Sequence, residues 1–287
     1  MMGEAAVQQN TIQADLYYVG DISGKAKFSL TEPEKINMVF DRQNVMIQDV
    51  RDNPGGFSVN VQGFEYVKCP TPVVEDPALV DVNLTQKNLT HPLNMAYHDT
   101  LVDLILEMSG AREVIPQYTG LLLRTTGGSK KSWAGPANFV HLDYTVSCAQ
   151  MHCANALYEF GKKIKPWSRF VAYQTWRAIS PGPHENALAI CDGRSVAESE
   201  TVEFESDLGP AHVIGTHFFS RGCRFSNKHQ WYYMSDMQPE DLLVFKGFDT
   251  DIPDSRNAMH TGFDNPAAGP DARPRVSLEA RYFAFYD

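Results

Sequence analysis

Several features that mark particular protein classes are missing from this sequence of 287 residues. It contains no run of about eighteen apolar residues, so we predict no transmembrane helix and no membrane partner. The first residues, MMGEAAVQQNTIQADL, do not combine a basic segment with an apolar core, which argues against a secretory signal. We therefore predict a cytoplasmic protein.

Cysteine pairs and basic residues are also scarce. The five cysteines are odd in number and form no Cys-x-x-Cys pair, so we expect neither a disulfide framework nor a thiolate zinc site. The chain has 25 basic and 35 acidic residues, a net charge of −10, and its lysines and arginines are scattered. Nucleic-acid binding needs a basic face, so we predict no nucleic-acid partner. From the cysteine count we predict free thiols in a reducing compartment.

The sequence does contain many short apolar segments separated by glycine, proline and aspartate, a pattern typical of an antiparallel β-rich fold. We predict helices over residues 92–109 and 147–163 from their periodicity. Residues 1–13 are expected to form a flexible tail, and residues 14–287 a single mainly β domain with a few flanking helices. A long loop is expected over residues 249–275. The predicted strands are 14–20, 44–50, 57–67, 120–125, 140–146, 170–179, 187–192, 212–219, 230–235, 241–248 and 276–285.

One short segment, HLDYT, places His141 and Asp143 two residues apart on a predicted strand, where alternate side chains share a face. His260, in NAMHTGFDNP, would complete a set of two histidines and one carboxylate. That set is the facial triad of non-haem Fe(II) oxygenases, and it leaves positions open for a chelating 2-oxoacid and dioxygen. The pattern predicts Fe(II), 2-oxoglutarate and O2 as cofactors; the alternative is that His141 is a core histidine.

The end of the chain offers groups for the second carboxylate of such a co-substrate. Arg275 and Ser277 are two residues apart on the last predicted strand, and a guanidinium binds a carboxylate bidentately. Arg281, on the same strand, is a second candidate, or it pairs with a nearby carboxylate. Arg177 is a third candidate, for the co-substrate or for a carboxylate of the substrate; the alternative is a structural arginine that stacks on Trp176 and caps loop carbonyls.

Four further residues are predicted to contact the substrate. Arg124 is a candidate for binding an acidic substrate if it points inward, and Lys246 lies on a predicted strand from which it could reach the cavity. For Lys246 the alternative is that its stem extends to solvent. Gln174 and Trp176 alternate on the strand 170–179 and so share a face. A loop over residues 127–138, which contains Trp133, precedes HLDYT and is a candidate lid.

From about residue 40 to the end, the chain resembles the 2-oxoglutarate/Fe(II)-dependent oxygenases, and within them the fungal hydroxylase/desaturase family that includes gibberellin desaturases and is similar to the bacterial cephamycin hydroxylase. The resemblance implies a double-stranded β-helix, or jelly roll. It also implies iron binding by His141, Asp143 and His260, and an arginine on the last strand that binds 2-oxoglutarate. The segments that carry it include GFEYV (63–67), VHLDYT (140–145), QTWRAISPGP (174–183), HQWYYMSDMQPEDLLVFKGFDT (229–250), MHTGFDNP (259–266) and PRVSLEARYFAF (274–285).

The function expected from these features is the hydroxylation, desaturation or oxidative cyclisation of a small secondary metabolite, with release of succinate and CO2. One alternative is a cupin-type metal-dependent isomerase or hydrolase that uses no 2-oxoacid. Another is a catalytically silent small-molecule-binding jelly roll. A homodimer is expected because it is the commonest oligomer.

Overall fold

The computed structural model describes residues 10–29, 32–53, 55–71, 91–127, 135–161, 163, 166–207, 217–253 and 256–287. Within these residues the fold is mainly β, which confirms the predicted class. No helix in these ranges is long and apolar enough to cross a membrane. The helices are α1 (Pro92–Ser109) and α2 (Val146–Phe160). The strands are β1 (Thr11–Val19), β2 (Ala26–Ser29), β3 (Phe40–Asp49), β4 (Phe64–Lys68), β5 (Glu113–Thr125), β6 (His141–Leu142), β7 (Arg169–Ala178), β8 (Asn186–Cys191), β9 (Thr201–Asp207), β10 (His217–Cys223), β11 (Trp231–Tyr233), β12 (Asp241–Asp249), β13 (His260–Asp264) and β14 (Val276–Tyr286).

Two sheets organise the described residues. One has nine strands in the order β1-β3-β11-β8-β13-β6-β10-β9-β2, and the other has five in the order β4-β12-β7-β14-β5. The five-stranded sheet is antiparallel throughout, whereas β11 runs parallel to β3 and β2 parallel to β9. In the nine-stranded sheet β13 and β6 lie side by side, and this pairing positions the site.

The two faces of β14 have different surroundings. Leu278, Ala280 and Tyr282 belong to one apolar cluster with Tyr97 and Leu101 of α1, so the even-numbered face packs against that helix. Because successive side chains alternate, the odd-numbered residues from Arg275 to Arg281 point to the opposite face, towards the interior. This strand therefore carries a row of polar groups into the molecule.

The predicted helices are found, and their ends have local causes. Helix α1 has the predicted bounds: Pro92 starts it, and Gly110 ends it in a left-handed conformation with φ 66°. Helix α2 begins at Val146, where the Thr145 hydroxyl accepts a hydrogen bond from the Cys148 amide. It ends at Phe160, before the predicted residue 163, because Gly161 adopts φ 69°.

Several strand predictions need correction. Strand β1 begins at Thr11, so residues 11–13 belong to the sheet and not to a flexible tail; residues 1–9 lie outside the described residues. The predicted strand 57–67 begins only at Phe64, after a turn that ends at Gly63 with φ 91°. The predicted long loop contains β13, from His260 to Asp264. Strands β2 and β9 were not predicted, because both are short and largely polar at their ends.

Candidate active site

His141, Asp143 and His260 come together at one point inside the fold. His141 on β6 is the direct cross-strand partner of His260 on β13, and their ring centroids are 4.4 Å apart. Asp143 directly follows β6. One ligand atom from each residue lies within 4.8 Å of the others, close enough to hold a single metal ion.

The surroundings of the two histidines suit metal binding. His141 Nδ1 lies 2.7 Å from the carbonyl oxygen of Phe139, and His260 Nδ1 lies 3.4 Å from that of Ala258. A carbonyl can only accept, so each Nδ1 carries the proton and each Nε2 keeps the lone pair that a metal needs. Burial, followed by the charge of His141, lowers the pKa of His260 to about 4, so the imidazole is neutral.

Asp143 is held by two donors that reach the same oxygen. Its Oδ2 accepts hydrogen bonds from Gln174 Nε2 at 2.6 Å and from a terminal nitrogen of Arg281 at 2.8 Å. Its Oδ1 lies 3.5 Å from His141 Nε2. Burial alone would raise the pKa of Asp143, but the charge of Arg281, with help from the histidines, holds that pKa well below its usual range. The carboxyl group is therefore ionised and can act as a ligand.

Arg275 is a buried cation without a carboxylate partner within ion-pair distance among the described residues. Its guanidinium lies 5.2 Å from the centroid of the Trp176 ring and donates to the Asn186 carbonyl at 3.4 Å. Its Nε and the hydroxyl of fully buried Ser277 have no hydrogen-bond partner in the described part of the chain. Burial lowers the pKa of Arg275 to about 10, so it stays charged at neutral pH. These unpaired donors fit the second carboxylate of a 2-oxoacid.

Arg281 has a different environment, which separates the two arginine candidates on β14. It pairs with Asp143 at 2.8 Å and lies 3.8 Å from Glu279. Glu279 in turn accepts a hydrogen bond from Arg124 at 2.6 Å. The prediction that Arg281 binds the co-substrate is therefore corrected: this residue pairs with the carboxylate of Asp143, as its predicted alternative stated.

Arg177 and Lys246 are also corrected, because neither lines the cavity around the triad. The guanidinium of Arg177 lies on the opposite face of β7, 5.4 Å from the Tyr97 ring, and donates to the Cys69 carbonyl at 2.8 Å. The structural alternative was right about the carbonyl, but the aromatic partner is Tyr97 and not Trp176. The ammonium of Lys246 is buried and donates to Asp249 at 2.9 Å, so it reaches neither the cavity nor the solvent.

The remaining predicted contacts do reach the cavity. Trp176 lines its wall, and Arg124 is held by Glu279 and by the Gly135 carbonyl at 3.0 Å. Gln174 also lines it, but its amide N–H is committed to Asp143, so its predicted substrate contact becomes a contact to a ligand. Of the loop 127–138, residues 128–134 with Trp133 lie outside the described residues. The cavity lining includes Arg124, Ala137, His141, Asp143, Gln174, Trp176, Leu188, Phe245, His260, Gly262, Arg275 and Glu279.

Among the residues that the sequence did not indicate, two supply polar groups that hold the predicted arginines. Glu279 connects Arg124 to Arg281, and the Asn186 carbonyl accepts from Arg275. Glu279 could have been predicted from the sequence of the last strand, because Glu279 is two residues from both Ser277 and Arg281 and therefore shares their face. No sequence pattern identifies Asn186, whose contact is made by a backbone carbonyl.

A β-fold that brings two histidines and an aspartate together beside an unpaired buried arginine defines a class, that of the non-haem iron oxygenases. The chain belongs to the family described as oxidoreductase/YMDC permease-like domain, whose sequence profile matches residues 16–285.

Similar proteins agree with this class. The hydroxylase/desaturase efuI of Hormonema carpetanum is 26% identical, over 99% of this chain and 98% of that protein. The Fe(II)/2-oxoglutarate-dependent dioxygenase nvfI of Aspergillus novofumigatus is 25% identical, over 87% of this chain and 85% of that protein. The Gibberellin cluster GA4 desaturase of Gibberella fujikuroi is 23% identical, over 85% and 87% respectively. The resemblance to fungal hydroxylases/desaturases is thereby confirmed.

A solved structure supports the predicted jelly-roll fold. The iron and alpha-ketoglutarate-dependent endoperoxidase NvfI matches with a TM-score of 0.77 at 21% identity, covering 96% of this chain and 98% of that one. At this level of identity the likeness concerns the fold, and it confirms the predicted double-stranded β-helix.

Proposed function

We propose that this protein is an Fe(II)/2-oxoglutarate-dependent oxygenase that hydroxylates, desaturates or oxidatively cyclises a small secondary metabolite and releases succinate and CO2. One observation carries the proposal: the candidate triad shares its cavity with Arg275, a buried guanidinium that has no carboxylate within ion-pair distance among the described residues. The relatives named as hydroxylases, desaturases and a dioxygenase support the same reaction class.

Each residue of the cavity has a role that follows from its position. His141 and His260 would hold the iron through Nε2, and Asp143 through Oδ1. The bound Fe(II), together with 2-oxoglutarate and O2, supplies the oxidation of an unactivated C–H bond. Arg275 and Ser277 would bind the far carboxylate of 2-oxoglutarate, and Trp176 supports the flat face of the guanidinium. Leu188 and Phe245 line the same cavity and limit the access of water to the reacting centre.

The same observation decides between this proposal and its alternatives. A cupin-type isomerase or hydrolase needs no anchor for a 2-oxoacid, and burying an unpaired arginine is costly unless an anion binds it. A catalytically silent jelly roll has no need for three ligand atoms within 4.8 Å or for two histidines that both present Nε2.

The direct test uses anaerobic protein mixed with Fe(II) and 2-oxoglutarate. We expect the weak visible charge-transfer band of the chelated complex in wild type, no band in His141→Ala, and a weaker band in Arg275→Ala. Admission of air should then give succinate slowly even without substrate. Folded, iron-loaded wild type that shows neither the band nor succinate would contradict the proposal and favour the cupin alternative.

Two coarser features complete the proposal. The substrate is a small molecule, as the cavity and the family indicate, and a screen of fungal metabolites for stimulated succinate release would identify its class. We also propose that the protein is cytoplasmic, because the five cysteines are all free and buried, which suits a reducing compartment. We further propose that it forms a homodimer. Light scattering coupled to size-exclusion chromatography tests the dimer, and a mass of about 32.1 kDa would contradict it.

A further inference from the structure

We propose that Gln174 and Arg281 are positioning residues that would confine Asp143 to coordination through a single oxygen, so that a bound ion would keep enough positions for the co-substrate and dioxygen. The inference rests on the proposed function. It concerns two residues for which the sequence had indicated other roles, contact with the substrate and contact with 2-oxoglutarate.

The contacts of Asp143 are unequal. Both donors approach Oδ2, the Gln174 amide at 2.6 Å and the Arg281 guanidinium at 2.8 Å. Two strong hydrogen bonds, one of them from a cation, occupy the lone pairs of that oxygen. Oδ1 is the oxygen on the side of His141, 3.5 Å from its Nε2. Only Oδ1 is therefore presented to an ion held by the histidines.

The two donors are themselves fixed by the sheet. Arg281 of β14 is the register partner of Gln174 on β7, so the two donors occupy neighbouring positions on adjacent strands. Gln174 is buried, and a Cβ at Gly247 would lie only 2.3 Å from its Oε1, so the amide has no room to turn away. Arg281 also lies 3.8 Å from Glu279, which is held by Arg124.

The number of positions around the metal shows why this arrangement matters. Three protein atoms leave three positions on a six-coordinate ion. A chelating 2-oxoacid would occupy two of them, and one would remain for dioxygen. If Asp143 bound through both oxygens, only two positions would remain, and the 2-oxoacid and dioxygen would compete. Holding Oδ2 away from the ion prevents this competition.

The test uses Co(II), whose visible absorption reports its coordination and which requires no turnover. We would record the spectrum of the Co(II)-loaded full-length protein and then titrate it with 2-oxoglutarate. In Gln174→Leu we expect a changed spectrum before 2-oxoglutarate is added, and a half-saturating 2-oxoglutarate concentration raised about tenfold, comparable to the loss of metal affinity or activity that follows removal of a partner of a metal ligand.

Gln117→Leu is the matched control. Gln117 is equally buried and flanks Arg281 from the other side, but its amide lies 3.3 Å from His152 Nδ1 and not beside Asp143. This variant should match wild type in both measurements. A purely structural effect of losing a buried glutamine would instead change both variants alike.

Arg281→Lys keeps the charge but loses the fork of the guanidinium, so it should change the spectrum in the same direction and to a smaller extent. If Gln174→Leu does not fold, Arg281→Lys is compared with Gln117→Leu in its place. Wild-type spectra and 2-oxoglutarate affinities in the folded variants would overturn the inference and leave the proposed function intact. A wild-type protein that binds no Co(II), or whose Co(II) spectrum ignores 2-oxoglutarate, would overturn the proposed function and this inference with it.

Discussion

Arg275 stacks on Trp176, with its guanidinium carbon 5.2 Å from the ring centroid, on the face of the five-stranded sheet that lines the cavity. Arg177, the neighbour of Trp176 in sequence, has a similar setting on the opposite face, 5.4 Å from the ring of Tyr97. Both are buried arginines that lie on aromatic rings, but Arg275 lines the cavity of the candidate metal ligands and Arg177 does not.

This pair allows a controlled test of co-substrate binding. In Arg275→Lys we expect the KM for 2-oxoglutarate to rise about tenfold or more, because a lysine cannot bind a carboxylate with two parallel hydrogen bonds. Arg177→Lys should leave that KM unchanged. Succinate formation at varied 2-oxoglutarate concentration measures both, and equal KM values in the two variants would argue against Arg275 as the anchor.

Removal of one ligand should remove the metal. We expect His141→Ala to lose stoichiometric iron after reconstitution and dialysis, because two remaining ligands hold Fe(II) too weakly. His152→Gln replaces a buried histidine on α2 that lies near Gln117 and is outside the triad, so it should keep its iron. Elemental analysis of the folded proteins measures the bound iron, and iron retained by His141→Ala would contradict the role of His141 as a metal ligand.

The buried ion pairs around Asp249 should matter for stability more than for catalysis. Asp249 accepts from Lys246 at 2.9 Å and from Arg169 at 2.8 Å. In Asp249→Asn, the buried ammonium of Lys246 loses its counter-ion, and we expect the free energy of unfolding to fall by about 3–5 kcal/mol. Lys246→Met should cost much less, because Asp249 keeps Arg169. Urea denaturation compares the two, and equal losses would contradict this explanation.

The stability of the protein should depend on pH through His98 of α1. Burial lowers the pKa of this side chain from 6.5 to about 4, and its Nδ1 lies 3.0 Å from the Tyr282 hydroxyl. Between these two values the unfolded chain binds the additional proton, so stability is fully present above pH 6.5 and decreases as the pH falls towards 4, by up to about 1.4 kcal/mol per unit.

A His98→Gln variant isolates this contribution from those of the other histidines. Its free energy of unfolding should decrease less steeply than that of wild type between pH 6.5 and 4. Urea denaturation at several pH values measures the slopes. Identical slopes would mean that His98 does not control the acid sensitivity.

Local patterns determined much of this protein. The proline and glycine that bound residues 92–109 predicted α1 at its observed ends. The alternation in HLDYT predicted that His141 and Asp143 share a face, and the structure brings them within 4.8 Å of His260. Alternation likewise placed Arg275, Ser277 and Arg281 on one face of the last strand, because the period of two is a property of the strand itself.

Only the tertiary structure decided what each of these faces meets. Alternation does not reveal which side of β7 lines the cavity; the structure places Trp176 on that side and Arg177 on the opposite one. Alternation also does not reveal that Lys246 would meet Asp249 or that Arg281 would meet Asp143. These partners are separated in sequence or lie across a bulge, and their pairing depends on how the sheets pack. A buried charged side chain that meets another residue supports that residue, whereas one without such a partner is available to bind a ligand.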